Sequence, residues 1–85
     1  MSGPTMLEEA YDPTDLGRAI RRWRVAKGMT QQTLAEWLGV SRQTVVSMEQ
    51  GGPVSVAAAM RALAILGAKA VIVPKERVID VADPP

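Results

Sequence analysis

The chain has 85 residues, of which 47% are hydrophobic and 22% are charged, with a formal net charge of +1 and neither cysteine nor histidine. A chain of this length forms one small domain that buries only ~60% of its unfolded surface. Without cysteine, neither a disulfide nor a thiolate metal site can stabilise this small core. Oligomerisation is the remaining way to bury more apolar surface. The lack of histidine removes the commonest zinc ligand and the usual general base, and no apolar run approaches the roughly 20 residues of a membrane span, so we expect no enzyme, metal, cofactor or membrane segment.

The basic residues are concentrated in one part of the chain. They are Arg18, Arg21, Arg22, Arg24, Lys27 and Arg42. Between residues 16 and 50 these six are accompanied by only two acids, Glu36 and Glu49, which gives a local net charge of +4. This excess favours a surface that attracts polyanions, although a solvated basic helix face explains the charge equally well.

The first part of the chain should be an arm followed by a helix. Residues 1–13 show no periodicity, so we expect a flexible arm with Tyr11 as its anchor. Their sequence is polar and acidic, unlike a secretory signal, which indicates a cytoplasmic location. Helix 1 should begin at Thr14 or Asp15 as its N-cap and end at Gly28. Its apolar stripe consists of Leu16, Ile20 and Trp23.

Two short helices should follow, in the stretch TQQTLAEWLGVSRQTVVSMEQG. Thr30 caps the first, which runs to about Leu38 and stops at Gly39. Ser41 caps the second, which runs to about Gln50. The residues predicted to point inward are Leu34, Ala35, Leu38, Val45 and Met48. Helices this short are unstable alone, so they must pack on each other and on helix 1.

A fourth helix and a β-run complete the pattern. Ser55 caps the helix and Gly67 ends it, and the residues predicted to face inward are Val56, Met60, Leu63 and Leu66. The run AVIV that follows is β-branched and is a better strand than helix; it comprises Ala70, Val71, Ile72 and Val73. This strand can pair with residues 77–81 in a hairpin or with its own copy across a two-fold axis, and we favour the two-fold pairing.

Two helices joined by a glycine turn of about three residues form a helix-turn-helix, whose second helix enters the DNA major groove. The stretch from Thr30 to Gly51 closely resembles the Cro/cI-like (XRE) family, down to Glu49-Gln50-Gly51 where members typically read Glu-Asn-Gly. The resemblance implies a mainly α, four-helix, lambda-repressor-like domain over 14–67. The sequence departs from the family after this domain, where members usually continue into a fifth helix, and we expect instead a strand and dimerisation segment at 68–81 and a tail at 82–85. The resemblance also implies a scaffold ion pair between Arg24 and Glu49.

The outward face of the second motif helix carries the predicted DNA contacts. The residues expected to contact bases are Arg42, Gln43, Val46 and Ser47, because Arg and Gln match guanine and adenine edges and an apolar side chain meets the thymine methyl group. The residues expected to contact phosphates are Gln31, Thr30, Ser41, Thr44 and Arg22. Dimerisation would present two such helices to a palindromic operator in double-stranded DNA.

The β-run after the fourth helix, with the upstream segment YDPTDLGRAIRRWR, is similar to the HipB-like antitoxins. That resemblance implies a homodimeric, autoregulating repressor with a HipA-like kinase toxin as its partner. A free-standing or prophage regulator would use the same DNA face without a toxin. A module that binds another protein, and not DNA, is the alternative from a different functional class. Trp37 can either pack against its neighbours on the same chain or serve as the anchor of a protein interface, and the sequence does not decide between these two roles.

Overall fold

The computed structural model describes residues 7–74, which fold into four helices. These are α1 (Pro13–Ala26), α2 (Gln31–Leu38), α3 (Arg42–Glu49) and α4 (Val56–Ile65). The described residues contain no strand, so the strand at residues 70–73 stays a prediction, whichever partner it pairs with. The predicted return strand at 77–81 and the tail at 82–85 lie outside the described residues.

Each helix begins with a side chain that accepts a hydrogen bond from the first turn. Thr30, Ser41 and Ser55 cap α2, α3 and α4 as predicted, with hydroxyl-to-amide distances of 3.0 to 3.1 Å. The prediction for α1 is wrong, because the cap is Asp12, which accepts from the backbone N–H of Asp15 at 2.8 Å. Pro13 explains the earlier start, since proline suits the first helical position, where its missing N–H costs no bond.

The core lies where the four helices meet. Ile20, Leu34, Ala35, Leu38, Val45, Met48, Ala62, Leu63 and Leu66 are buried in it. Leu16 and Trp23 are half-buried and pack against these residues, so the predicted stripe of α1 faces the core. No helix among the described residues is long and apolar enough to cross a membrane.

The rotation of α4 differs from the prediction. Val56 is 79% exposed and Met60 is 49% exposed, whereas Ala59 and Ala62 are buried beside Leu63. Nearly every position of this helix is apolar, so the sequence does not mark one polar side. Packing then selects the side with the two small alanines, because these let α4 come closest to its neighbours.

Helix α3 is placed by direct backbone contact with α1. A Cβ atom on Gly17 would collide with the carbonyl oxygen of Met48 and would lie 2.8 Å from that of Glu49. Gly51 follows α3 with φ +83°, and its Cβ would lie 2.7 Å from the Cα of Thr14. The two glycines therefore let the end of α3 rest on the first turns of α1, which fixes the direction of α3.

Candidate nucleic-acid interface

Helix α3 exposes one side near its amino-terminal end. Arg42 and Gln43 are exposed, and Val46 and Ser47 are half-buried. The opposite side holds the buried residues Val45, Met48 and Glu49. The structure thus presents all four predicted base-contact residues outside the core.

The connection between α2 and α3 is short and well hydrogen-bonded. Gly39 adopts φ +74°, a left-handed conformation that glycine tolerates and other residues avoid. The backbone N–H of Val40 donates to the carbonyl of Ala35 at 3.0 Å, and Ser41 then begins α3. Because this short turn has little conformational freedom, it fixes the position of α3 relative to α2.

The hydroxyl groups at both helix starts are occupied by capping. Thr30 Oγ1 donates to Thr33 Oγ1 at 2.9 Å, besides accepting from the Thr33 backbone. Ser41 Oγ and Thr44 Oγ1 share a hydrogen bond of the same length. These three predicted phosphate contacts therefore lie at the first turns of α2 and α3, with hydroxyls already oriented by the protein.

A buried ion pair joins α1 to the end of α3. Arg24 Nε donates to Glu49 Oε2 at 2.6 Å, and Arg24 Nη2 donates to Glu49 Oε1 at 3.1 Å. The two side chains are only 10% and 2% exposed. Arg24 Nη1 also donates to the carbonyl of Met29 at 2.7 Å. This ion pair, which the family resemblance implied, therefore also holds the segment leading into α2.

Gln31 takes part in the same network, which the sequence did not indicate. Its side-chain Nε2 donates to Glu49 Oε1 at 3.1 Å. The two residues are 18 positions apart, and only the packing of α2 on α3 brings them together. A surface hollow between the starts of these helices, here called the α2–α3 hollow, is lined by Arg24, Met29, Thr30, Gln31 and Arg42 among others.

Arg22 lies on a different side of α1 from this hollow. Two residues of helix turn the chain by about 200°, so Arg22 points almost opposite to Arg24. Its Nη1 pairs with Glu8 Oε2 at 2.9 Å. A phosphate contact from Arg22 stays a prediction, and the ion pair with Glu8 competes with it.

The amino-terminal arm is attached to α1 through polar contacts. The backbone N–H of Tyr11 donates to Asp15 Oδ2 at 3.0 Å, and the Tyr11 hydroxyl donates to Glu9 Oε1 at 3.0 Å. The hydrogen bond to Glu9 and the negative charge of this carboxylate raise the pKa of the Tyr11 phenol. The backbone N–H of Tyr11 thus attaches the described part of the arm to α1, while the residue itself is 61% exposed.

An apolar groove runs along α1, the loop before α4, and the chain after α4. Tyr11, Trp23, Val54, Val56, Leu63 and Val71 are among its lining residues. Ile72, next to the groove, is 98% exposed. Trp37 lies elsewhere, is 67% exposed, and is not among the side chains packed against the core. Within residues 7–74, the single chain therefore leaves this apolar groove and the side chain of Trp37 uncovered.

The described residues hold no group of three or more acidic, cysteine or histidine side chains that could bind a metal ion. The basic and amide side chains of α3 and of the α2–α3 hollow can donate to base edges and to phosphates.

The chain matches a family model and solved structures of regulatory proteins. The family model for a helix-turn-helix domain matches residues 15–79. The clp gene regulator ClgR from C. glutamicum is 32% identical, covering 76% of this chain and 83% of its own, with a TM-score of 0.62. The restriction-modification controller protein C.AhdI from Aeromonas hydrophila is also 32% identical, covering 66% and 86%, with a TM-score of 0.58.

A chain of the HipA-HipB-O2-O3 complex shares the fold at 22% identity, covering 82% of this chain and 100% of its own, with a TM-score of 0.73. A search of curated proteins found no match.

Proposed function

The chain belongs to the helix-turn-helix domain family of DNA-binding regulators, of the Cro/cI-like type, and from this premise we propose that it is a dimeric, sequence-specific transcriptional repressor. The observation that carries the proposal is the exposed start of α3. Arg42 and Gln43 stand free of the core there, and Arg42 borders the α2–α3 hollow together with Gln31. One side chain proposed to read bases and one proposed to bind a phosphate therefore border the same hollow.

Helix α3 would read bases from the major groove through four side chains. Arg42 can donate two hydrogen bonds to guanine O6 and N7, and Gln43 can pair in the same bidentate way with adenine N6 and N7. Val46 offers an apolar contact to a thymine methyl group, and Ser47 can pair with either kind of base edge. Each half-site of the operator should therefore contain a guanine and an adenine.

The first turns of α2 and α3 would hold the DNA backbone. Gln31, Thr30, Ser41 and Thr44 all lie at these two helix starts, where backbone amides and the helix dipole favour a phosphate. The basic segment around them, with its local charge of +4, adds non-specific attraction that weakens as salt rises. Arg22 would contact a phosphate only if its ion pair with Glu8 were broken.

Dimerisation would give the repressor its operator geometry. We propose that residues 70–73 pair with the same residues of a second copy and that the apolar groove is covered in the dimer. The large exposed apolar side chains next to each other in this region, including Val71 and Ile72, support the proposal. Two α3 helices related by a two-fold axis would then meet half-sites ~34 Å apart, one turn of DNA.

The dimer can be tested by placing a charge in the strand. We expect the unmodified chain to sediment as a dimer and Val71→Asp to raise the dissociation constant at least about tenfold, because pairing would bury an unpaired carboxylate. Ala57→Asp adds the same charge at an exposed site of α4 and should leave the constant unchanged. Equal dissociation constants for both variants would rule out this interface.

We further propose that the repressor is the autoregulating antitoxin of a toxin–antitoxin module with a HipA-like kinase. The shared fold with a chain of the HipA-HipB-O2-O3 complex supports this reading. A kinase-toxin gene directly beside the gene of this chain would distinguish it from a free-standing regulator. A protein-interaction module would instead rely on exposed apolar residues such as Trp37 and would be indifferent to changes in α3.

Replacing Arg42 by alanine tests the DNA-binding face. We expect Arg42→Ala to weaken binding to the DNA upstream of the gene by about 5- to 150-fold, because a bidentate guanine contact gives roughly 1 to 3 kcal/mol of discrimination. Binding to unrelated duplex should weaken much less. Arg61→Ala is the matched control, since it removes the same charge from an exposed position on α4.

The competition should be measured by fluorescence anisotropy over a series of salt concentrations. A steep decrease of affinity with salt, with selective weakening only in Arg42→Ala, is the expected result. Equal losses for Arg42→Ala and Arg61→Ala would contradict base reading by α3 and would move attention to Trp37 and a protein partner.

A further inference from the structure

Three segments of the chain meet at one carboxylate. Glu49 accepts from Arg24 at both of its oxygens and from Gln31 Nε2 at Oε1. Arg24 is also bonded to the carbonyl of Met29, just before the cap of α2. Within residues 7–74, no buried side-chain nitrogen or oxygen lacks a hydrogen-bond partner. The network therefore fixes the side chain of Gln31 relative to α3.

The chemistry of this contact determines which end of the Gln31 amide faces inward. A carboxylate that is paired with arginine only accepts hydrogen bonds, so the amide nitrogen, and not the oxygen, must point at Glu49. That nitrogen carries two hydrogens and Glu49 takes one. Gln31 is half-buried and borders the α2–α3 hollow with Arg42, so the second N–H is left to donate to a group that enters the hollow.

The charge of Glu49 does not oppose an anion at this place. Arg24 neutralises the carboxylate with two hydrogen bonds, and the side chain of Glu49 is only 2% exposed. A phosphate in the hollow would therefore meet the amide of Gln31 and the guanidinium of Arg42 without facing an uncompensated negative charge. The network orients a donor without repelling the group that the donor would bind.

We propose that Glu49 is a positioning residue for DNA-backbone binding, because it holds the Gln31 amide so that the second N–H is directed at a phosphate. The inference rests on the proposed DNA-binding function and assigns Glu49 a role beyond the ion pair with Arg24. Phosphates carry no base identity, so the contact from Gln31 should strengthen binding to every duplex alike. Since an amide is neutral, it should leave the salt dependence unchanged.

The test is a titration of the full ¹⁵N-labelled chain with DNA, followed by NMR. The side-chain NH₂ signals of Gln31 are identified by their loss in Gln31→Met. We expect them to shift on adding either the upstream duplex or an unrelated one. An unchanged Gln31 NH₂ pair, in spectra where the backbone amides of α3 do shift, would overturn the inference and leave the proposed function standing. If no signal of the chain shifts, the DNA-binding proposal itself fails.

A double-mutant cycle separates positioning from simple support of the fold. We expect Gln31→Met to lower affinity about tenfold for both duplexes, as for loss of one hydrogen bond to a charged group. Glu49→Gln also leaves Arg24 without its counter-charge, so each affinity is calculated for the folded fraction that circular dichroism measures. On that basis Glu49→Gln should lower affinity in the unmodified chain and have no further effect in Gln31→Met. Additive losses would mean that Glu49 acts on the fold alone, and a loss confined to one DNA sequence would mean that Gln31 reads a base. Either result overturns the proposal.

Discussion

Arg24→Met should lower the free energy of unfolding by about 3 to 5 kcal/mol, the largest stability loss that we expect from one substitution in this chain. The arginine is nearly buried and makes both ion-pair hydrogen bonds to Glu49 as well as one to Met29. Methionine keeps the apolar stem but leaves the carboxylate of Glu49 buried without its counter-charge. For a domain this small, such a loss removes a large part of the total stability. Urea denaturation followed by circular dichroism measures it.

Two further variants identify the cause of the loss. Arg22→Met removes an arginine of the same helix whose partner, Glu8, pairs with it at the surface, and we expect a change below about 1 kcal/mol. Changing Arg24 to Met together with Glu49 to Leu should recover much of the stability, because no unpaired charge then remains. A double variant as unstable as Arg24→Met alone would show that the uncompensated charge is not the cause.

Gly17→Ala should also destabilise the fold, by about 3 kcal/mol. In an exposed helix the same change would stabilise by roughly 1 kcal/mol, since glycine is a poor helix former. Here the new methyl group would collide with the backbone of Met48 and Glu49, and backbone atoms cannot rotate away as a flexible side chain can. Helix propensity alone predicts that Gly17→Ala stabilises the fold, whereas the contact between α1 and α3 predicts that it destabilises the fold, so the sign of the change distinguishes the two.

The measurement is the same urea denaturation, with Arg18→Ala as the control. Arg18 is the next residue of α1 and is exposed, and its side chain lies 3.5 Å from Asp15. Its replacement should change stability by less than about 0.5 kcal/mol. A Gly17→Ala chain that is more stable than the unmodified one would mean that α1 and α3 are not in backbone contact.

The central part of the fold could be predicted because each boundary carries its own local signal. Thr30 and Ser41 are caps, and Gly39 is the left-handed stop between α2 and α3. The start of α1 was placed too late because Thr14 and Asp15 also resemble caps, and only the position of Pro13 in the first turn favours Asp12. The side of α4 that faces inward could not be read, since the helix is apolar nearly all round.

Some features of the candidate site could likewise be predicted from the sequence, and others could not. The exposed start of α3 follows from the inward spacing of Val45 and Met48, which a short amphipathic helix displays in its sequence. The hydrogen bond from Gln31 to Glu49 and the contact of Gly17 with α3 depend on how separate helices pack, so no short sequence pattern predicts them. The strand at 70–73 needs a partner strand, either residues 77–81 or a second chain, so it stays a prediction.

The most direct test of base reading by α3 is selection of bound DNA from a random pool of duplexes by the unmodified chain. We expect repeated rounds to enrich a two-fold symmetric sequence whose half-sites are centred about 10 base pairs apart, and we expect this sequence to bind Arg42→Ala poorly. A pool that keeps its random composition through all rounds would contradict sequence-specific reading by α3.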